Sequence, residues 1–197
     1  MKMGNLEKRF VNSKRHAQAN VKVIERLFPY LDLKGINNVL EIGCGIGMLS
    51  DYLSRSYDMK VVGIDVDAEQ IEIGIKFLTG NNRLSFAVES ATDLPFDNSA
   101  FDMVLSFKVL HHIGKWETVL NEVNRVLKPK GIFVFSDFCY TPFLKRILSP
   151  FVKNYGLYTL DDLIGYLTGM DIAVIHQEKS MPFIFPCHDI LFRKGSG

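Results

Sequence analysis

The stretch Val39-Leu40-Glu41-Ile42-Gly43-Cys44-Gly45-Ile46-Gly47 decides the reading of this chain. A short β-type run passes directly into glycines at alternate positions, and Ile46 to Arg55 continues as a helix. Glycines between a strand and a helix permit a tight turn and leave bare backbone for a ligand to approach. The helix start behind them presents N–H groups without intrahelical partners. About 20 residues further on, Lys60-Val61-Val62-Gly63-Ile64-Asp65 ends on a carboxylate placed to accept from both hydroxyls of a ribose. A glycine loop alone is a weak signal; loop, acid and strand order together are far more specific.

Outward from this loop the chain keeps an alternating rhythm. Leu84 to Val88, Phe101 to Phe107 and Ile132 to Phe138 read as further strands, and Ala68 to Leu78 and Trp116 to Leu127 as helices, the latter stopped by Pro129 and Gly131. Nearly continuous apolar strands alternating with helices indicate a parallel sheet covered on both faces. Leu160 to Leu167 resumes as helix, Asp171 to His176 as a sixth strand and Ile184 to Phe192 as a seventh. The expected fold is α/β: a Rossmann-like, doubly wound, seven-stranded mixed sheet with helices on both faces. The first six strands should be parallel. The connection Gln177 to Phe183 is too short for a parallel crossover, so the last strand should be antiparallel. Upstream, Leu6, Phe10, Ala17, Val21, Ile24, Leu27 and Phe28 recur at helical spacing, giving N-terminal cap helices within 1–35. Residues 139–158 break the rhythm with Pro142, Pro150, several aromatics and no acid, so Lys145, Arg146 and Lys153 are unopposed within the segment. They read as an insert or lid on a single domain, 1–197.

Composition narrows the function. The 197 residues are 47% hydrophobic, and 23 Lys plus Arg against 22 Asp plus Glu leave a net charge of +1. So even a balance carries no electrostatic footprint for nucleic acid. Three cysteines without a CxxC pair form neither a disulfide framework nor a zinc module, and no metal site is expected. No secretory signal and no run of about 20 apolar residues is present, so the reading is a cytoplasmic protein without a membrane span, a monomer or homodimer.

The loop reads E-x-G-x-G-x-G. A nicotinamide-binding G-x-G-x-x-G/A read from Gly43 would need a small residue where Met48 stands. What stands here resembles motif I of the class I S-adenosylmethionine-dependent methyltransferases, small-molecule enzymes of the type 11-like group. Val62-Gly63-Ile64-Asp65-Val66-Asp67 resembles that family's second-strand motif, and Ala91-Thr92-Asp93-Leu94-Pro95-Phe96 its adenine-flanking loop. Ser99 to Val104 followed by Val109-Leu110-His111-His112-Ile113 resembles the fourth strand and its exit. Val126-Leu127-Lys128-Pro129-Lys130-Gly131 resembles the turn into the fifth. One departure is Glu89-Ser90-Ala91 where the family usually has Gly-Asp-Ala.

The resemblance implies S-adenosyl-L-methionine as cofactor, with S-adenosyl-L-homocysteine as product. It implies a cofactor site of Glu41, Gly43, Cys44, Gly45, Gly47, Asp65, Val66, Ser90, Ala91, Thr92 and the backbone carbonyl of Phe107. Cys44 reads as packing, since no base accompanies it. His111 or His112 is a candidate general base for an acceptor hydroxyl, against a purely structural turn. Lys14-Arg15-His16 reads as a solvated helix face; the resemblance offers the alternative that one of the three meets the methionine carboxylate. The expected partner is a small, apolar or aromatic methyl acceptor, with an anionic group allowed by the scarcity of acids in the expected walls. The alternatives are a methyltransferase-like binding protein without turnover and, less favoured, a nicotinamide-dependent oxidoreductase.

Overall fold

The computed structural model describes residues 12–78, 80–152, 154–180 and 186–196. Seven strands form one sheet: β1 (Asn38–Ile42), β2 (Lys60–Asp65), β3 (Leu84–Val88), β4 (Phe101–Phe107), β5 (Leu127–Phe138), β6 (Ile172–Ser180) and β7 (Cys187–Lys194). Their order is β3-β2-β1-β4-β5-β7-β6. β1 to β5 pair in parallel, and β7 runs antiparallel to both β5 and β6. The expected single reversal at the last strand is therefore present, and β7 is inserted between β5 and β6. Strand order turns back between β1 and β4, so a crevice opens above their carboxyl ends, where open α/β sheets take ligands.

Among the described residues six α-helices accompany the strands: α1 (Lys14–Leu27), α2 (Met48–Ser56), α3 (Ala68–Phe77), α4 (Trp116–Val126), α5 (Pro142–Leu148) and α6 (Leu160–Thr168). Alternating strand residues feed two separate cores. Leu40, Val104, Phe133 and Phe135 face Trp116, Val119 and Leu120 of α4 and Leu163 of α6. Val39, Met103, Leu105 and Val134 face Ile24 and Leu27 of α1 and Leu49 and Leu53 of α2. Period-2 alternation with both faces covered is why these strands read as unbroken apolar runs.

Several boundaries move. β5 begins at Leu127 rather than Ile132, with Lys130 left-handed (φ 64°) where a glycine would sit easily. β6 extends from His176 to Ser180, and β7 begins at Cys187; Ile184, together with Leu6 and Phe10, lies outside the described residues. The 139–158 segment contains a real helix, α5, started by Pro142 and capped by the Thr141 side chain on Leu144 N. Its positives are not all unopposed: Lys145 pairs at 2.7 Å with Asp162 of α6. Sequence distance concealed that partner. Cys139 and Tyr158 anchor the segment's ends in the core, while no residue of α5 is buried.

Candidate functional site

The loop after β1 is built on three left-handed glycines, Gly43 (φ 70°), Gly45 (φ 55°) and Gly47 (φ 77°). Left-handed backbone is strained for residues with a Cβ. A Cβ at Gly43 would lie 2.2 Å from the Val109 side chain, and one at Gly47 2.2 Å from the Phe86 ring. Gly47 also caps α2.

Asp65 ends β2 beneath this loop. Its Oδ2 accepts from Gly45 N (2.9 Å) and its Oδ1 from Asp67 N (2.9 Å). The carboxylate thus holds the loop itself, and each oxygen keeps lone pairs toward the cavity. Glu41, 3% exposed, accepts a short hydrogen bond from the Ser50 hydroxyl. Burial, despite that bond, pushes its carboxyl up to about 7. Cys44 packs toward Gly63, whose Cβ would meet its sulfur at 2.9 Å. Burial and then the Glu41 and Asp65 charges hold its thiol well above the ordinary range, which disfavours the thiolate that a nucleophile needs.

Ser90 spends its side chain locally, with Oγ against Thr92 Oγ1 (2.8 Å) and accepting from Thr92 N (3.3 Å). Ala91 is buried. These residues, with Glu41, Gly43, Cys44, Gly45, Asp65, Val66 and Phe107, line one cavity of about 1020 Å³. Gly47 turns the chain behind it and is not among the lining residues. His16 of α1 reaches the same cavity, with its imidazole held below the ordinary range first by burial and then by the Lys108 charge.

His111 and His112 enter the cavity's far end on a short 3₁₀ turn, Leu110–His112, after β4. Their rings lie 3.9 Å apart. His111 Nδ1 is 2.5 Å from Oδ1 of Asp137, a fully buried carboxylate on β5. Asp137 also accepts from Phe138 N (2.7 Å), His111 N (3.2 Å) and the buried Tyr158 hydroxyl (3.2 Å). With the carboxylate taking the proton on Nδ1, the imidazole is fixed in the tautomer whose Nε2 accepts. Asp137 and Tyr158 escaped the sequence reading. The signal was a lone carboxylate inside the apolar run Ile132 to Phe138. Cys139, just beyond β5, is 1% exposed and its thiol is pushed up by burial.

A family profile described as a methyltransferase domain matches residues 40–135, the span that carries the glycine loop, Asp65 and the His111–His112 turn. Over that span the chain carries a class I methyltransferase domain. Phosphoethanolamine N-methyltransferase 1 of Triticum aestivum is 30% identical over 74% of this chain, which spans 30% of that protein. Methyltransferase GfsG of Streptomyces halstedii is 27% identical over 71% of the chain, which spans 51% of it. The chain thus covers about half or less of the length of these curated relatives. Among solved structures, a SAM-dependent methyltransferase from Methanosarcina mazei superposes with a TM-score of 0.71 at 22% identity, covering 87% of this chain and 98% of that one. No described helix is long and apolar enough to cross a membrane.

Proposed function

We propose that this methyltransferase moves the methyl group of S-adenosylmethionine to a small-molecule acceptor by in-line displacement. The observation that carries the reading is that one cavity joins the glycine loop and Asp65 to the His111–Asp137 pair. The residues fit the cofactor: the loop demands glycine at 43 and 47, and Asp65 is held rigid by two amides with acceptor capacity left for a ribose. In this reading Ser90, Ala91 and Thr92 flank the adenine. Ser90 is occupied by Thr92, so backbone groups replace the carboxylate usual at that place. Phe107 ends β4 at the cavity wall and offers its carbonyl to the cofactor's amino group.

Bound S-adenosylmethionine supplies a methyl group already activated on a sulfonium. What remains for the chain is to position the acceptor, exclude water and, for a hydroxyl acceptor, take a proton. His111 Nε2 takes that proton, and Asp137 steadies the imidazolium that forms, with Tyr158 fixing the carboxylate from behind. His112 lies tilted against His111 and shapes the wall. The relatives' names give no common acceptor, so the acceptor class rests on the cavity, whose far end is lined by Val109, Ile113 and Phe138 beside the imidazoles. The protein would work in the cytoplasm as a monomer or homodimer.

The decisive experiment is mass spectrometry of nucleoside co-purifying with the protein, with calorimetry against S-adenosylhomocysteine and NAD, then a methyl-transfer screen over amines, phenols, quinones and thiols. Binding of NAD but not S-adenosylhomocysteine would overturn the reading. Tight S-adenosylhomocysteine binding with no transfer to any class, in wild type and at all pH values, would favour a binding protein.

A further inference from the structure

The charges that line the cavity are segregated. Among the described residues its carboxylates, Glu41, Asp65 and Glu89, all lie at the loop and β2–β3 end. The opposite end, over β4 and β5, carries Lys108, His111, His112 and Lys115, with His16 above it and no carboxylate on the surface. Asp137 is nearby but fully buried behind His111 and saturated by four hydrogen bonds.

Lys108 is the centre of this end. It directly follows β4 in a left-handed conformation (φ 59°) that a lysine adopts at a cost. The bend is held by Lys108 N donating to Ser136 O at 2.7 Å. Its ammonium donates to Ser136 Oγ (3.0 Å), makes a short contact with the Cys187 sulfur, and stands 5.2 Å over the Phe138 ring. None of these partners is a carboxylate, and no ion pair joins Lys108 to any described acid. The nearest carboxylate along the network, Asp189, is fully buried and paired at 2.6 Å with Arg26; it reaches Lys108 through the Ser136 hydroxyl, which donates to Asp189 Oδ1 at 2.6 Å, and through the Cys187 thiol, 3.9 Å from the same oxygen. The Lys108 charge is felt by its surroundings, since it helps hold both His16 and His188 below the ordinary imidazole range. A half-buried ammonium has three donors, and the side chains here engage two of them. A strained, partly desolvated cation facing a carboxylate-free cavity wall is what an anionic ligand group requires.

We infer that Lys108 anchors an anionic group, a carboxylate or phosphate, on the methyl acceptor, holding the acceptor's nucleophilic atom between His111 and the glycine loop. This rests on the methyl-transfer reading but concerns a different end of the cavity. The site so defined separates the work of two residues: Lys108 binds, and His111 moves the proton.

The test titrates benzoate, phenyl phosphate and neutral benzyl alcohol into the protein by calorimetry and NMR shift perturbation, alone and saturated with S-adenosylhomocysteine. At least one of the two anions should bind about tenfold or more tightly than benzyl alcohol, and the stronger of them tells carboxylate from phosphate. Lys108→Gln should abolish that preference and Lys108→Arg retain it, with S-adenosylhomocysteine affinity within twofold of wild type in both. Equal binding of anions and alcohol in wild type, or an undiminished preference in a folded Lys108→Gln protein, overturns the inference. So does a large loss of S-adenosylhomocysteine affinity in Lys108→Gln, which would assign the ammonium to the cofactor's own carboxylate. If wild type binds no S-adenosylhomocysteine, the methyl-transfer reading fails, while the anion preference is still read in the ligand-free arm.

Discussion

Asp65→Ala should do two separable kinds of damage. In the ligand-free protein the carboxylate accepts from Gly45 N and Asp67 N, each at 2.9 Å, and is only 8% exposed. Removing it leaves two buried amides without their acceptor. A hydrogen bond to a charged group is worth about 1.5–3 kcal/mol, and water can reach part of the vacated space, so the net destabilisation should be about 2–4 kcal/mol. Urea unfolding with an unchanged slope measures this. On top of it, loss of the ribose contact should weaken S-adenosylhomocysteine binding by about 1.5–3 kcal/mol, roughly 10- to 150-fold. Loop disorder and ribose contact are told apart by a cycle using 2′-deoxy and 3′-deoxy nucleoside analogues. If Asp65 holds the hydroxyls, removing them should cost wild type affinity but cost the Asp65→Ala protein little, leaving a coupling of about 1 kcal/mol or more. A coupling near zero, with stability reduced as expected, would show that Asp65 only ties the loop and that the ribose is held elsewhere. Unchanged stability would refute the amide bonds themselves.

Four further outcomes follow from the same geometry. His111→Ala and Asp137→Asn should each lower methyl transfer to a hydroxyl acceptor about 100-fold or more with cofactor affinity near wild type, whereas His112→Ala should act mainly on acceptor KM; full rates in the first two at neutral pH would leave transfer to positioning alone. Glu41 is raised from 4.5 to about 7 by burial, so the folded state holds its proton more tightly than the unfolded chain. The stability this confers is complete below about pH 4.5 and is lost as pH rises to about 7, at most roughly 3 kcal/mol, and Glu41→Gln should flatten that part of the pH profile. Gly47→Ala should cost about 2–4 kcal/mol, since left-handed strain adds to the clash with Phe86, while Gly35→Ala (φ 88°, nothing within 4 Å of the added Cβ) should cost only the strain, about 1–2 kcal/mol; equal melts for the two would remove the clash. Amides of α5 should exchange with deuterium far faster than those around Cys139 and Tyr158 and slow when cofactor and acceptor are bound, and full protection of α5 in the free protein would end its description as a lid.

The sequence by itself determined the sheet and the glycine-loop end of the cavity. Unbroken apolar strands, helices between them and a short final connection dictate a parallel sheet closed by an antiparallel strand. These are local signals, read within one element or one turn. Gly43 to Gly47 and Asp65 belong to the same class, because left-handed backbone and a strand-end acid are legible where they stand. The start of β5, the end of β6 and both limits of β7 were not legible, since ladder partners, not propensity, decide where pairing stops. Only the tertiary structure decided what each candidate side chain meets. His111, on the turn after β4, and Asp137, near the end of β5, are brought together by the register that sets Phe107 opposite Ser136. Lys108 meets Ser136 and Cys187 because β7 is inserted beside β5, and Lys145 finds Asp162 only when α6 packs behind the 139–158 segment. The two faces of a strand follow from its period of two, but its cross-strand partners follow from how residues far apart in the chain are brought into register, which no local pattern encodes.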